Sequence, residues 1–178
     1  MTTTNKLGLY IHIPFCVKKC RYCDFLSFQC TESRILSEYA SALIQEIKIK
    51  SRDWHFREVD TVYIGGGTPS LMPAKDIGRI MDSLRDNFYI SEDAEITIEV
   101  NPATVSDEKM DMYLSKGINR MSMGVQSFEN PVLETLGRIH SKNDAFNSFQ
   151  RARKAGFENI NLDIMFGIPG QSLKMWKD

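Results

Sequence analysis

Long apolar runs are missing from this 178-residue sequence, and no stretch is long enough to span a membrane as a helix. The start, Met1 to Lys6, is polar, without the basic opening and apolar stretch of a secretory signal. Charge of one sign is nowhere concentrated. The 22 basic and 23 acidic residues interleave to a net charge of -1, a solvated surface with no nucleic-acid footprint. Linkers, low-complexity segments and recurring units are also lacking. What remains is 42% hydrophobic and 25% charged, the composition of a folded chain. A chain of this length buries roughly 70% of its unfolded surface around one core. The expected location is the cytoplasm, where grouped cysteines serve metals or catalysis more often than disulfides.

Short apolar segments alternate with longer amphipathic ones. Strands are expected at Leu7–Pro14, Asp60–Ile64, Ala94–Val100, Arg120–Val125 and Asn159–Phe166. Between the first two, Ile35, Leu36, Tyr39, Leu43 and Ile47 recur at helical spacing. Ile77, Ile80, Met81, Leu84 and Phe88 form the next stripe, and helices over Asp107–Lys116 and Asn143–Ala155 stop before Gly117 and Gly156. Five strand–helix repeats make an α/β fold, a parallel sheet with helical crossovers. Leu173 to Asp178 begins one more helical pattern. The expectation is therefore a single domain over 1–178, the N-terminal part of a longer protein cut after about five units. The alternative is a short helix that completes the chain.

Strand parity separates the faces. Leu9, Ile11, Ile13 and Phe15 oppose Tyr10, His12, Pro14 and Cys16; Ile96, Ile98 and Val100 oppose Glu95, Thr97 and Glu99. Met121, Met123 and Val125 oppose Arg120, Ser122, Gly124 and Gln126; Leu162, Ile164 and Phe166 oppose Asn161, Asp163 and Met165. A parallel sheet is normally covered on both sides. One apolar and one polar face fit a curved, partial barrel around a polar ligand better than an open sheet in water.

Three of the four cysteines fall in Cys16-Val-Lys-Lys-Cys20-Arg-Tyr-Cys23, at the end of the first strand. Three thiolates in one loop can wrap a metal centre, and iron–sulfur clusters and zinc both suit them. On a four-iron cubane they leave one iron open. Zinc would recruit a fourth ligand, with His12 or Cys30 at hand, and would make a structural knot. Cys30, seven residues past Cys23, reads as an unligated thiol.

Each later strand ends in residues that are individually ordinary. Gly65-Gly66-Gly67-Thr68-Pro69 allows close approach of a ligand to the backbone, and it is neither a dinucleotide fingerprint nor a phosphate loop. Glu99 reads alone as a solvated carboxylate, Gln126 as a loop amide, and Arg138, in Leu136-Gly137-Arg138-Ile139-His140, as a surface cation. Asp163 lies on the polar face of the fifth strand. Their convergence at one end of one sheet, where such folds place active sites, carries the signal.

Tyr10-Ile-His-Ile-Pro-Phe-Cys16 with the two further cysteines resembles the motif of the radical S-adenosylmethionine (radical SAM) enzymes. More narrowly it is similar to the oxygen-independent coproporphyrinogen oxidases and their heme-chaperone relatives, over essentially the whole chain. The resemblance implies a partial TIM-type (βα) barrel of the radical SAM class. It implies a [4Fe-4S] cluster on Cys16, Cys20 and Cys23, with S-adenosylmethionine on the open iron. Gly66, Gly67 and Thr68 match the turn that contacts the methionine portion of that cofactor. Tyr10, Tyr22, Glu99, Gln126, Arg138 and Asp163 match other cofactor contacts. An electron from the reduced cluster would then cleave the sulfonium bond. Phe15, Phe25 and Phe28 either shield the cluster or pack routinely.

Two departures from the oxidase pattern favour the chaperone branch. Phe25 stands where the oxidases carry a further cysteine, and nine residues precede Tyr10 where the oxidases have a substantial segment. The expected function is binding heme and handing it to an acceptor protein, with oxidation of coproporphyrinogen III as the alternative, so SAM cleavage is a potential and not an assignment. A cluster kept only for structure is a third reading. The implied partners are heme, a heme-acceptor protein, a transient membrane-protein partner, and an electron donor such as flavodoxin or ferredoxin. The family's heme-binding region lies C-terminal to everything in this chain. No heme ligand is assigned, and His12 and His140 read as hydrogen-bonded structural residues.

Overall fold

The structure is a computed structural model that describes residues 6–54 and 56–177. All of the polar start except Lys6, and the final residue of the last helical pattern, lie outside the described residues. The elements in chain order are β1 (Leu7–Ile13), β2 (Phe15–Cys16), β3 (Phe28–Gln29), α1 (Ser33–Trp54), β4 (Glu58–Gly66), α2 (Ala74–Asn87) and β5 (Tyr89–Val100). They continue with α3 (Asp107–Ser115), β6 (Arg120–Gln126), α4 (Asn130–Leu136), α5 (Lys142–Ala155), β7 (Asn159–Ile164) and α6 (Leu173–Lys177). Five strands form one parallel sheet in the order β1-β4-β5-β6-β7, so each crossover moves one strand along. This is the expected α/β fold, and its order is that of a partial barrel.

The apolar faces meet as parity predicts. Ile13, Ile64, Ile98, Met121 and Met123 are fully buried beneath Ile77, Ile80, Met81 and Leu84 of α2 and Met110 and Tyr113 of α3. Burying one such side chain contributes roughly 1.5–3 kcal/mol. Helix α1 lies against α2, α2 against α3, and α3 against α5, which forms one layer. Local chemistry sets the helix ends. Ser106 accepts from the Lys109 amide at the start of α3, and Ser141 and Asp144 form a capping box on α5.

Three differences from the sequence reading have physical causes. Strand β5 begins at Tyr89, five residues early, because the polar stretch there still pairs with β4 through Glu58 and Val59. Helix α4 was not expected; it is short, with proline in its first turn, and is held by Val132, Leu133 and Leu136. The supposed apolar face of the fifth strand is largely open: Ile164 is 45% exposed and Phe166 77%. Among the described residues β7 is the sheet edge, paired only with β6; Ile160 and Leu162 of that face pack against the core, and Ile164 and Phe166 do not.

Candidate functional site

A cavity of about 440 Å³ opens where the parallel strands end. That size is within the roughly 300–1,000 Å³ of small-molecule pockets. The end of β2 contributes Cys16 and the loop to β3 Cys20, Tyr22 and Cys23; the end of β4 contributes Gly66 and the turn after it Gly67 and Thr68. Glu99 comes from β5, Gln126 from β6, Arg138 from the segment after α4, and Asp163 from β7. Eleven of the twelve residues singled out in the sequence thus share one lining. Tyr10 does not. It is 59% exposed beside β4, bonded through its hydroxyl to His12 Nδ1 (3.0 Å) and stacked on Tyr63 at 6.2 Å, so it meets the cavity through Tyr63.

The glycine turn is shaped by what it touches. Gly66 has φ +117°, and a Cβ there would stand 2.6 Å from His12 Cε1. At Gly67 a Cβ would stand 2.7 Å from the Phe15 carbonyl oxygen and 3.1 Å from Cys16 Sγ. Only glycine lets the turn lie this close to the cysteine loop. The Gly66 amide donates to Glu99 Oε2 (3.0 Å) and the Tyr63 hydroxyl to Glu99 Oε1 (2.7 Å), which fixes that carboxylate. Burial raises the Glu99 pKa, and the two hydrogen bonds oppose the shift. Asp163 accepts from Ser122 Oγ (3.3 Å) and Asn161 Nδ2 (2.6 Å).

Arg138 crosses the floor. One Nη donates to the Gly124 carbonyl (2.6 Å), and the other lies 3.5 Å from both Cys20 Sγ and the Tyr22 hydroxyl. Its Nε is buried without a hydrogen-bond partner among the described residues. Thr68 donates to Cys16 Sγ (3.4 Å). Two of the three sulfurs thus face a donor from another element, the kind of contact that orients a metal ligand. Burial pushes the Tyr22 hydroxyl up to about 12, with Arg138 pulling the other way. Tyr63, Ser122 and Asn161 escaped the sequence reading as site residues. Tyr63 shares the parity of Thr61 against Val62 and Ile64, so the alternation that exposed Glu99 also marks it.

The donor set fits a cluster. All four cysteines are free thiols, and three line the cavity. Among the described residues no three His, Cys, Asp or Glu side chains are grouped to hold a single metal ion. Both ring nitrogens of His12 are engaged, Nδ1 with Tyr10 and Nε2 with the Leu26 carbonyl, and Cys30 is not part of the lining. His140 is also hydrogen-bonded, through Nε2 to the Val125 carbonyl (3.0 Å). Phe15 is buried in the core, whereas Phe25 and Phe28 are exposed around the cysteine loop. No described helix is long and apolar enough to cross a membrane.

Residues 10–178 match the Radical SAM superfamily, and the chain belongs to it. It is 44% identical over 166 residues to the heme chaperone HemW of Bacillus subtilis (strain 168), covering 93% of this chain and 44% of that protein. It is 42% identical over 174 residues to the heme chaperone HemW of Escherichia coli (strain K12), covering 98% and 46%. Among solved structures, coproporphyrinogen III oxidase (HemN) from Escherichia coli, described as a radical SAM enzyme, superposes with a TM-score of 0.90. That match has 35% identity and covers 97% of this chain and 40% of the other. The chain thus spans less than half the length of the curated relatives it matches.

Proposed function

We propose that this radical SAM chain holds a [4Fe-4S] cluster on Cys16, Cys20 and Cys23, binds S-adenosylmethionine beside it, and forms the N-terminal core of a heme chaperone. The observation that carries the reading is the meeting of three free thiols, a glycine turn and polar strand ends in one cavity. When bound, the cluster and S-adenosylmethionine would supply one-electron cleavage of a sulfonium bond.

The chain's own residues do the positioning. Glu99, held by Tyr63 and Gly66, offers a fixed carboxylate to an ammonium group, and Gly66, Gly67 and Thr68 offer backbone at close range. Asp163, oriented by Ser122 and Asn161, is suited to accept from ribose hydroxyls. Arg138 joins the cysteine loop to the floor of the cavity and can pair with a carboxylate, while Gln126 offers an amide from the end of β6.

The chaperone reading is supported by the two HemW relatives and by Phe25 in place of a further cysteine. Delivery of heme to an acceptor, use of a flavodoxin- or ferredoxin-like electron donor and a cytoplasmic setting belong to this proposal. The superposition on the oxidase keeps coproporphyrinogen III oxidation as the second reading. Anaerobic reconstitution followed by absorbance and electron paramagnetic resonance tests the cluster. Serine at Cys16, Cys20 or Cys23 should abolish the signal and Cys30→Ser should spare it; stoichiometric zinc without a cluster signal would overturn the assignment. In the full-length protein, heme transfer to an apo acceptor without porphyrinogen turnover is expected. Robust turnover of coproporphyrinogen would install the oxidase instead.

A further inference from the structure

We infer that His140 is a positioning residue that pins a strained backbone turn at Gln126 and thereby aims the Gln126 side chain into the cofactor cavity. The inference rests on the proposed cofactor site. Gln126 is the single non-glycine residue with positive φ (68°) among those described. The Ser127 amide donates to the Val125 carbonyl across it (2.9 Å), which closes a γ-turn of the rare positive-φ kind. Such a conformation costs a residue with a side chain real energy and persists only where its surroundings over-determine it.

The surroundings here do so. The Val125 carbonyl takes a second hydrogen bond, from His140 Nε2 at 3.0 Å, and the Gln126 carbonyl accepts from the Met165 amide at 2.9 Å. Val125, Ser127 and His140 are all buried, at 1%, 4% and 4% exposure, so the turn cannot relax into solvent. The pairing with β7 slips at this point: Gly124 faces Asp163 while Gln126 faces Ile164, leaving Val125 as the bulged residue. The amide of Gln126 consequently folds back over Gly124, its Nε2 3.0 Å from where a Cβ on Gly124 would stand, in the same lining as Arg138.

His140 reaches the turn from the loop that also supplies Arg138. That loop is itself anchored, since Gly137 caps α4 and the Arg138 amide donates to the Leu133 carbonyl. One short segment thus sends a guanidinium across the cavity floor and, two residues on, an imidazole beneath the strand end that carries Gln126.

The test uses the full chain, reconstituted anaerobically, with two readouts. Binding of S-adenosylmethionine is measured by equilibrium dialysis, and exchange of the Ser127 amide by hydrogen–deuterium exchange on cofactor-free protein. His140→Leu should weaken binding by about tenfold and speed Ser127 exchange by a similar factor, as expected for loss of one buried hydrogen bond, while cluster content stays at the wild-type level. His140→Gln, which keeps a donor at similar reach, should recover most of both. In a Gln126→Gly background, where the turn is unstrained and the amide is gone, His140→Leu should produce no further loss of affinity. Wild-type binding and exchange in His140→Leu, or an undiminished loss in the Gln126→Gly background, would overturn the inference. If His140→Leu does not unfold cooperatively, His140→Asn, whose amide falls short of the Val125 carbonyl, is read by the same criteria. Failure of the wild-type protein to bind S-adenosylmethionine would instead count against the cofactor site, and the exchange readout would still decide the role of His140.

Discussion

Acidification should destabilise this protein through His140 before its carboxylates matter. Burial of the ring, reinforced by the neighbouring Arg138 charge, lowers its pKa from 6.5 to about 4; the Val125 carbonyl and Asp144 oppose the shift only in part. In the folded chain the imidazole therefore stays neutral as the pH falls, while in the unfolded chain it takes up a proton near 6.5. Stability rises with pH wherever the unfolded state binds more protons. The contribution is complete above the unfolded value, is lost progressively between 6.5 and about 4, and changes no further below that. At about 1.4 kcal/mol per unit the whole loss comes to about 3 kcal/mol, of which about 2 kcal/mol is gone by about pH 5. Glu99 works with the opposite sign, since its pKa is raised and its protonation favours the folded state. The measurement must therefore be a difference. Urea unfolding of wild type and His140→Gln, both cofactor-free and reduced, is followed by circular dichroism at about pH 7, 6 and 5. Wild type should lose about 2 kcal/mol more than the variant over that range. Parallel losses in the two proteins would show that His140 is not a buried neutral ring and would refute the reasoning.

Gly66→Ala should cost about 2–4 kcal/mol, because it forces a side chain into φ +117° and against the His12 ring; an unchanged thermal midpoint would contradict that geometry. Glu99→Gln should weaken S-adenosylmethionine binding by about tenfold. Affinity in the wild type should fall as the pH drops through the raised Glu99 pKa and stay flat in the variant, so a pH dependence shared by both would remove Glu99 from the site. Tyr113→Phe should be neutral or stabilising by about 1 kcal/mol, since the buried hydroxyl has no partner among the described residues; a clear loss on denaturant titration would reveal a hidden one.

The parts of the fold legible in the sequence are those governed by short-range periodicity. Alternation in β5 and β6 correctly separates Ile96, Ile98 and Met123 from Glu99, Ser122 and Gln126, because a strand with one buried face must repeat every second residue. The same rule misleads in β7, since parity says which residues share a face and nothing about whether an edge strand has cover. It also under-reads β4, where Tyr63 keeps the parity of the polar face yet looks like an ordinary strand aromatic. Tyr63 matters through Glu99, 36 positions away, a relation no local window contains. The turn at Gln126 is illegible for another reason. Glutamine carries no signal for positive φ, and its conformation is imposed by His140 and Met165 from the segments that follow α4 and β7.

That dependence on distant elements extends to the cysteine loop. Between Cys16 and Cys23 the chain makes no regular secondary structure, and a loop left to itself would not hold three thiols in a fixed arrangement. It is tied at both ends by β2 pairing with β3, where the Phe28 amide meets the Pro14 carbonyl and the Cys30 amide meets the Cys16 carbonyl. In the middle it is tied to α4: the Arg21 amide donates to the Leu136 carbonyl (3.0 Å) and the Arg21 guanidinium to that of Thr135 (3.3 Å). These are carbonyls that the end of a helix leaves without intrahelical partners. The short helix that periodicity overlooked therefore carries the middle of the loop, and the segment after it contributes both Arg138 to Cys20 and His140 to the end of β6. Rigidity at the cysteines thus depends on the C-terminal end of α4, more than 100 residues downstream of the cysteine motif, as well as on the β2–β3 pairing.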